Sequence, residues 1–161
     1  MIPGNSNNYK IIVARSEEDF NIARSLFLQY EKEINIDLCF QDFENEINNL
    51  HDQYGPPGGL ILLLKHEKDY IGCCGLRKLK KNYGEIKRLY IVKDHRGKGL
   101  SRILMKDIIR KAKQVKYKYL RLDTLSSMKE AIGLYTSLEF KEIEAYRFNP
   151  EEGAKFFELL C

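Results

Sequence analysis

Residues 85–101 read Glu85-Ile86-Lys87-Arg88-Leu89-Tyr90-Ile91-Val92, then Lys93-Asp94-His95, then Arg96-Gly97-Lys98-Gly99-Leu100-Ser101. The first run has the composition of a strand, and Ile103-Leu104-Met105 opens a run with helical spacing. Between them lie two glycines, which let backbone N–H groups turn inward with no Cβ in the way. The helix N-terminus adds partial positive charge at the same place, and Arg96, Lys98 and Arg102 add full charges. The combination predicts an anion site suited to phosphate or pyrophosphate. The spacing Gly-x-x-x-x-Gly-Lys-Ser/Thr of a P-loop is absent. Gly97-x-Gly99 also lacks the third glycine of a dinucleotide fingerprint. Taken alone, Gly-x-Gly is equally a plain turn before a helix.

The flanking sequence narrows the choice. Leu89-Tyr90-Ile91, the loop Arg96 to Ser101, the run Ala131-Ile132-Gly133-Leu134-Tyr135 and Phe140 together resemble the GNAT superfamily of acetyl-CoA-dependent N-acetyltransferases. Further segments resemble a bacterial subfamily of it whose acceptor is unassigned. These are Ile36 to Phe43, Tyr54-Gly55-Pro56-Pro57, Leu122-Asp123-Thr124-Leu125, and Tyr146-Arg147-Phe148-Asn149-Pro150 with Gly153-Ala154. Two residues depart from the pattern: Ser101 stands where Gly or Ala is usual, and Glu139 where Gly usually precedes the final Phe. A left-handed Glu139 would cost roughly 1 kcal/mol.

The resemblance implies an α/β (α+β) fold with a mixed, mostly antiparallel sheet of about seven strands and about four helices. It implies acetyl-CoA as cosubstrate, with Leu89, Tyr90 and Ile91 pairing with the pantetheine arm. Arg96, Gly97, Lys98, Gly99, Leu100 and Ser101 would hold the pyrophosphate. Transfer to an amine needs a proton acceptor, an oxyanion donor and an acid for the departing thiolate. Tyr135 falls on the family's Leu-Tyr position and is the candidate acid, set against a plain core role. Glu85 is the candidate base, set against a solvent-facing Glu paired with Lys87 or Arg88. His51, His66 and His95 are its rivals. The acceptor pocket would be built from the Ile34–Tyr54 region and the Ala145–Pro150 loop.

The rest of the chain sets bounds. Its 161 residues suit one domain, and 43% hydrophobic with 31% charged residues fits a globular protein. The run Leu60-Ile61-Leu62-Leu63-Leu64 is too short to span a membrane, and Met1 to Asn8 holds no secretory pattern. A cytoplasmic protein with free thiols at Cys39, Cys73, Cys74 and Cys161 is expected, with no metal implied. Net charge is +4, and the cations cluster at Arg77-Lys78-x-Lys80-Lys81 and from Arg110 to Lys118. They read as a solvated surface, with a nucleic-acid partner disfavoured because no binding motif accompanies them. The expected activity is N-acetylation of a small-molecule or peptidyl amine. The alternatives are acetylation of an aminoacyl-tRNA and a non-catalytic acetyl-CoA-binding module, and a homodimer is left open.

Periodicity predicts the order of elements. A strand Tyr9–Arg15 precedes a helix capped by Ser16 and a second helix Phe40–Leu50. Three strands follow at Leu60–Lys65, Tyr70–Leu79 and Gly84–Val92. Then come a helix Leu100–Lys116, a strand Leu120–Asp123, a helix Met128–Leu138, and strands at Phe140–Ile143 and Lys155–Leu160. The unit Glu85 to Asp123 would be a parallel crossover.

Overall fold

The computed structural model describes residues 8–36, 38 and 42–161. Strand β1 (Tyr9–Val13) leads into helix α1 (Glu17–Ile34). Ser16 and Asp19 close a reciprocal cap: the Asp19 N–H donates to Ser16 Oγ at 3.0 Å, and the Asp19 carboxylate accepts from the Ser16 N–H at 3.2 Å. Phe20, Ala23, Leu26 and Phe27 bury one face of α1.

The expected second helix is two short ones, α2 (Phe43–Asn48) and α3 (Leu50–Tyr54), so the described residues form five α-helices. Asn49 breaks the run. Its side-chain amide donates to the Asn45 carbonyl at 2.9 Å and to Asn45 Oδ1 at 2.8 Å, an alternative to continuing the helix. Phe40 and Gln41, expected in that helix, lie outside the described residues, as do Asp37 and Cys39.

Strands β2 (Leu60–His66), β3 (Asp69–Lys80) and β4 (Tyr83–Ile91) form the antiparallel meander the turns predicted. A 3-10 turn at Lys93–His95 leads to α4 (Leu100–Gln114), β5 (Tyr119–Leu125), α5 (Lys129–Ser137), β6 (Lys141–Ile143) and β7 (Ala154–Leu160). Among the described residues seven strands run in the order β1-β2-β3-β4-β5-β7-β6, and β4 with β5 is the parallel pair there. Two apolar layers cover the sheet. Leu104, Met105 and Ile108 of α4 pack on Cys74, Leu76 and Ile86. Phe27 of α1 and Tyr54 of α3 pack on Ile61, Leu63 and Cys73. Adjacent Cys73 and Cys74 thus face opposite layers, as alternation along a strand requires.

Two irregularities shape the middle of the sheet. Cys73 faces Tyr90 while Gly75 faces Lys87, so Arg88 and Leu89 together oppose Cys74 in a β-bulge. Arg88 there has φ +59°. Beyond it, Leu89 and Ile91 join the α4 layer, while the Arg88 side chain turns to Glu46 of α2. The second irregularity is that β4 and β5 pair only at Tyr83↔Tyr119, Gly84↔Leu120 and Glu85↔Arg121. Past Glu85 the two strands part.

Candidate active site

The parting of β4 from β5 opens a groove of about 760 Å³. Lys87 to Ile91 form one side and Leu122 to Leu125 the other. Tyr30, Ile34, Ile36 and Leu38 close it from the α1 side, and Leu134 and Tyr135 close it from α5. One end runs into the loop that binds α4 to the sheet, where Arg96, Gly97, Gly99, Leu100 and Ser101 all border it.

That loop has the geometry of an anion cradle. Gly97 and Gly99 have φ +78° and +74°, and a Cβ on either would meet nothing within 4 Å. The space before the backbone is open. Gly99 caps α4 with no side-chain hydrogen bond, so the first-turn amides have no helical partner and point at the groove. Arg96 is oriented by donating through Nε to the Ile91 carbonyl at 2.8 Å, and its guanidinium also pairs with Glu33. Lys98 Nζ lies 3.5 Å from the Tyr9 hydroxyl, and Arg102 donates to Ser137 Oγ at 2.7 Å. Free amides beside exposed Arg96, Lys98 and Arg102 fit a pyrophosphate.

Tyr135 sits on α5 with its ring 6.0 Å from Phe140 and 6.2 Å from Phe157, and it borders the groove. Burial pushes its hydroxyl far above the ordinary phenol range. The two sequence readings of Tyr135 therefore coexist: it is buried and it reaches the groove.

Glu85 is fully buried and is not among the groove-lining residues. Its solvent-facing alternative is therefore corrected. Oε1 accepts from Arg77 Nε at 3.1 Å and Arg147 Nη2 at 3.0 Å, while Oε2 accepts from the Tyr146 hydroxyl at 2.7 Å. Arg77 is corrected as well. Expected in a solvated basic patch, its side chain is 14% exposed and lies between Glu85 and Glu46.

Glu46 anchors the neighbouring part of this polar layer. Arg88 donates to both its oxygens, at 3.0 Å and 2.9 Å, and the Tyr54 hydroxyl donates at 3.0 Å. Tyr54 needs Gly75 opposite, where a Cβ would meet its ring at 2.6 Å. Lys87 and Asp123 face each other across the groove floor at 3.5 Å, and Asn149 donates to Asp123 at 3.2 Å. Burial, then the charge of Arg88, lowers the Lys87 amine to about 8. Burial raises Asp123, but the charges of Lys87 and Arg147 and the Asn149 hydrogen bond outweigh it and hold its carboxyl low.

Among the histidines, His95 borders the groove. His51 packs on Phe20 at 5.4 Å and His66 on Tyr9 at 4.6 Å, and neither lines it. Sequence reasoning missed Lys87, Arg88, Glu46 and Asp123 as a set. The signal was present in Glu85-Ile86-Lys87-Arg88, where three charges fall within four residues of an interior strand. Glu33 accepts from the Tyr90 hydroxyl at 2.8 Å and pairs with Arg96.

Residues 20–140 match the model of the acetyltransferase (GNAT) family. A protein of Schizosaccharomyces pombe, named an uncharacterized N-acetyltransferase, is 32% identical over 155 residues, 95% of each chain. Among solved structures, an acetyltransferase from Streptococcus agalactiae superposes with a TM-score of 0.77 at 18% identity, over 96% of this chain and 99% of its own. The Salmonella typhimurium protein yncA, solved with its cofactor acetyl-CoA, superposes with a TM-score of 0.68 at 17% identity, over 96% and 94%. At these identities the structural likenesses speak for the fold.

Proposed function

Since this chain belongs to the GNAT acetyltransferase family, we propose that it moves the acetyl group of acetyl-CoA directly onto a primary amine of a small molecule or peptide. The observation that carries this reading is the continuity of the β4–β5 gap with the uncapped N-terminus of α4. An extended arm can pair with strand edges in the gap while its phosphates rest on the loop.

Acetyl-CoA would supply a thioester, whose thiolate is a fair leaving group with a pKa of about 8.5. Leu89, Tyr90 and Ile91 would orient the arm, and Arg96 to Ser101 would hold the pyrophosphate. A backbone N–H beside the Leu89 bulge would donate to the developing oxyanion. Tyr135, kept neutral by burial, would protonate the sulfur. Glu85 enters as a base behind the groove, reached through the Tyr146 hydroxyl that it binds. Asp123 is a carboxylate on the groove floor itself. Glu85→Gln separates them: a loss of turnover greatest at low pH assigns proton acceptance to Glu85, and an unchanged pH–rate profile removes it.

The test of the whole reading is acetyl-CoA-dependent thiol release over amines, amino acids, aminoglycosides, peptides and aminoacyl-tRNA. Release stimulated by a primary amine is expected. Slow acetyl-CoA hydrolysis that no panel member accelerates overturns it. Calorimetry adds a second arm, because Gly99→Val places a branched side chain at φ +74° and should weaken acetyl-CoA binding in a folded protein.

A further inference from the structure

Two stretches of the chain, residues 75–84 and 108–122, hold cations and no acidic residue. The fold brings them together. The Asn82 carbonyl accepts from the Lys118 N–H at 2.9 Å and the Tyr119 N–H at 3.0 Å, and β4 meets β5 at Tyr83↔Tyr119. A Cβ on Gly58 would touch the Tyr117 hydroxyl at 3.1 Å and Lys78 at 3.5 Å, which sets Lys78 beside the same α4–β5 connection. Arg77, Arg110 and Arg121 are neutralised by Glu85, Asp107 and Glu158. Lys78, Lys80, Lys81, Lys113, Lys116 and Lys118 are exposed. Among the described residues, none of these six is paired with a carboxylate.

An apolar row runs between the lysines. Tyr83 of β4, Tyr119 of β5 and Leu160 of β7 are in register across three neighbouring strands, so their side chains share one face of the sheet. The tyrosine rings are half-buried and stack at 4.8 Å with 17° between their planes, and Leu160 is 65% exposed. Lys80 lies over the Tyr83 ring at 4.5 Å and Lys118 over the Tyr119 ring at 5.5 Å. A cation over an exposed ring is held weakly, more weakly than a stacked base. A base can therefore take the ring while the displaced ammonium moves to a phosphate.

We propose that this face binds single-stranded nucleic acid, with bases stacked on Tyr83 and Tyr119 and the phosphates held by the surrounding lysines. The two basic runs look like solvated surface when read apart, and it is the β4–β5 junction that sets aromatic rings between them. A second copy of this chain fits the face poorly, because a two-fold contact would set the patch against itself and like charges repel. A duplex fits it less well than a single strand, since its bases already stack on one another and leave the rings without a partner. Neither the six lysines nor the row of Tyr83, Tyr119 and Leu160 lines the groove. The surface is thus separate from the cofactor loop, and the proposal does not depend on the acetyltransferase reading.

Fluorescence anisotropy with labelled oligouridine and oligothymidine tests it, beside a duplex of equal length and vesicles containing phosphatidylserine. At least one single strand should bind more tightly than the duplex, and the tighter of the two names the sugar. Its affinity should fall with salt at a log–log slope of about −3 to −4, from roughly 0.7 for each of four to six phosphates. Lys80→Gln combined with Lys118→Gln should flatten that slope by about one. Tyr119→Leu should weaken binding by about 5- to 100-fold with the slope unchanged, and Tyr83→Leu reads the same contact if Tyr119→Leu melts early. Excess acetyl-CoA should leave the oligonucleotide bound. No binding of either strand overturns the proposal, as does a duplex that binds equally well. Displacement by acetyl-CoA assigns the binding to the cofactor loop instead and overturns it too. So do vesicle binding without oligonucleotide binding, and folded tyrosine variants that bind like wild type.

Discussion

The Tyr135 phenol is held between Phe140 and Phe157 with its edge on the groove. Burial keeps it protonated across the working pH range, so it can give a proton and cannot take one. Tyr135→Phe preserves the ring contacts and removes the donor. It should lower kcat by about 10²-fold, the lower end of general-acid contributions, while acetyl-CoA affinity and the melting temperature hold. Steady-state kinetics with a parallel melt are the check, and early melting with normal turnover would return Tyr135 to the core. The Tyr135 helix run and the Gly97–Gly99 loop were legible in the sequence because each is a local pattern. Lys87, Arg88 and Asp123 were not, because a charge on a strand reads as solvent-facing unless its partner is known. Those partners lie 36 to 42 positions away. The bulge that turns Arg88 toward Glu46 has no sequence signature of its own.

Helix α5 ends in a left-handed residue that is not glycine. The Phe140 N–H donates to the Tyr135 carbonyl at 3.0 Å and the Glu139 N–H to the Thr136 carbonyl at 3.0 Å, with Glu139 at φ +73°. This is the double bond pattern of a Schellman cap, for which glycine is the unstrained residue. Glu139→Gly should stabilise the protein by about 1 kcal/mol, raising Tm by roughly 2–4 °C for a chain of this size. A melt unchanged or lowered by the substitution would mean that the Glu139 side chain compensates its own strain. Sequence reasoning anticipated this cost because Glu stood where the family places Gly. It anticipated the meander equally well, since short polar turns between apolar runs leave few other pairings. The break between α2 and α3 escaped it. A helical period runs through Asn49, and the Asn45–Asn49 bonds that end the helix depend on side-chain competition that periodicity does not register.

At the scale of the whole molecule, Glu46 joins α2 to β3, β4 and α3 through Arg77, Arg88 and Tyr54. Burial raises its carboxyl, but the Arg88 hydrogen bonds and the charges of Arg88 and Arg77 outweigh this and hold it below the usual range. The folded state therefore binds fewer protons in acid than the unfolded one. The stability this supplies is fully present above the unfolded value of about 4.3 and is lost as pH falls through the folded pKa. Glu46→Gln should cost about 3–5 kcal/mol at pH 7, as expected when one partner of a buried pair is removed. The difference from wild type should narrow at pH 3.5 in denaturant titrations; an equal difference at both pH values would remove Glu46 as the source. Three register pairs between β4 and β5 are the strand pairing that joins β1–β4 to β5–β7. If that short joint lets the two halves open separately, amide hydrogen exchange should resolve two protection classes, and a single class across all the strands would count against it. A molecule that pairs across the gap binds the folded chain alone, and at a hundredfold excess over its dissociation constant it adds about 2.7 kcal/mol of stability. The lifetime of the enzyme against proteolysis then follows the supply of its own thioester.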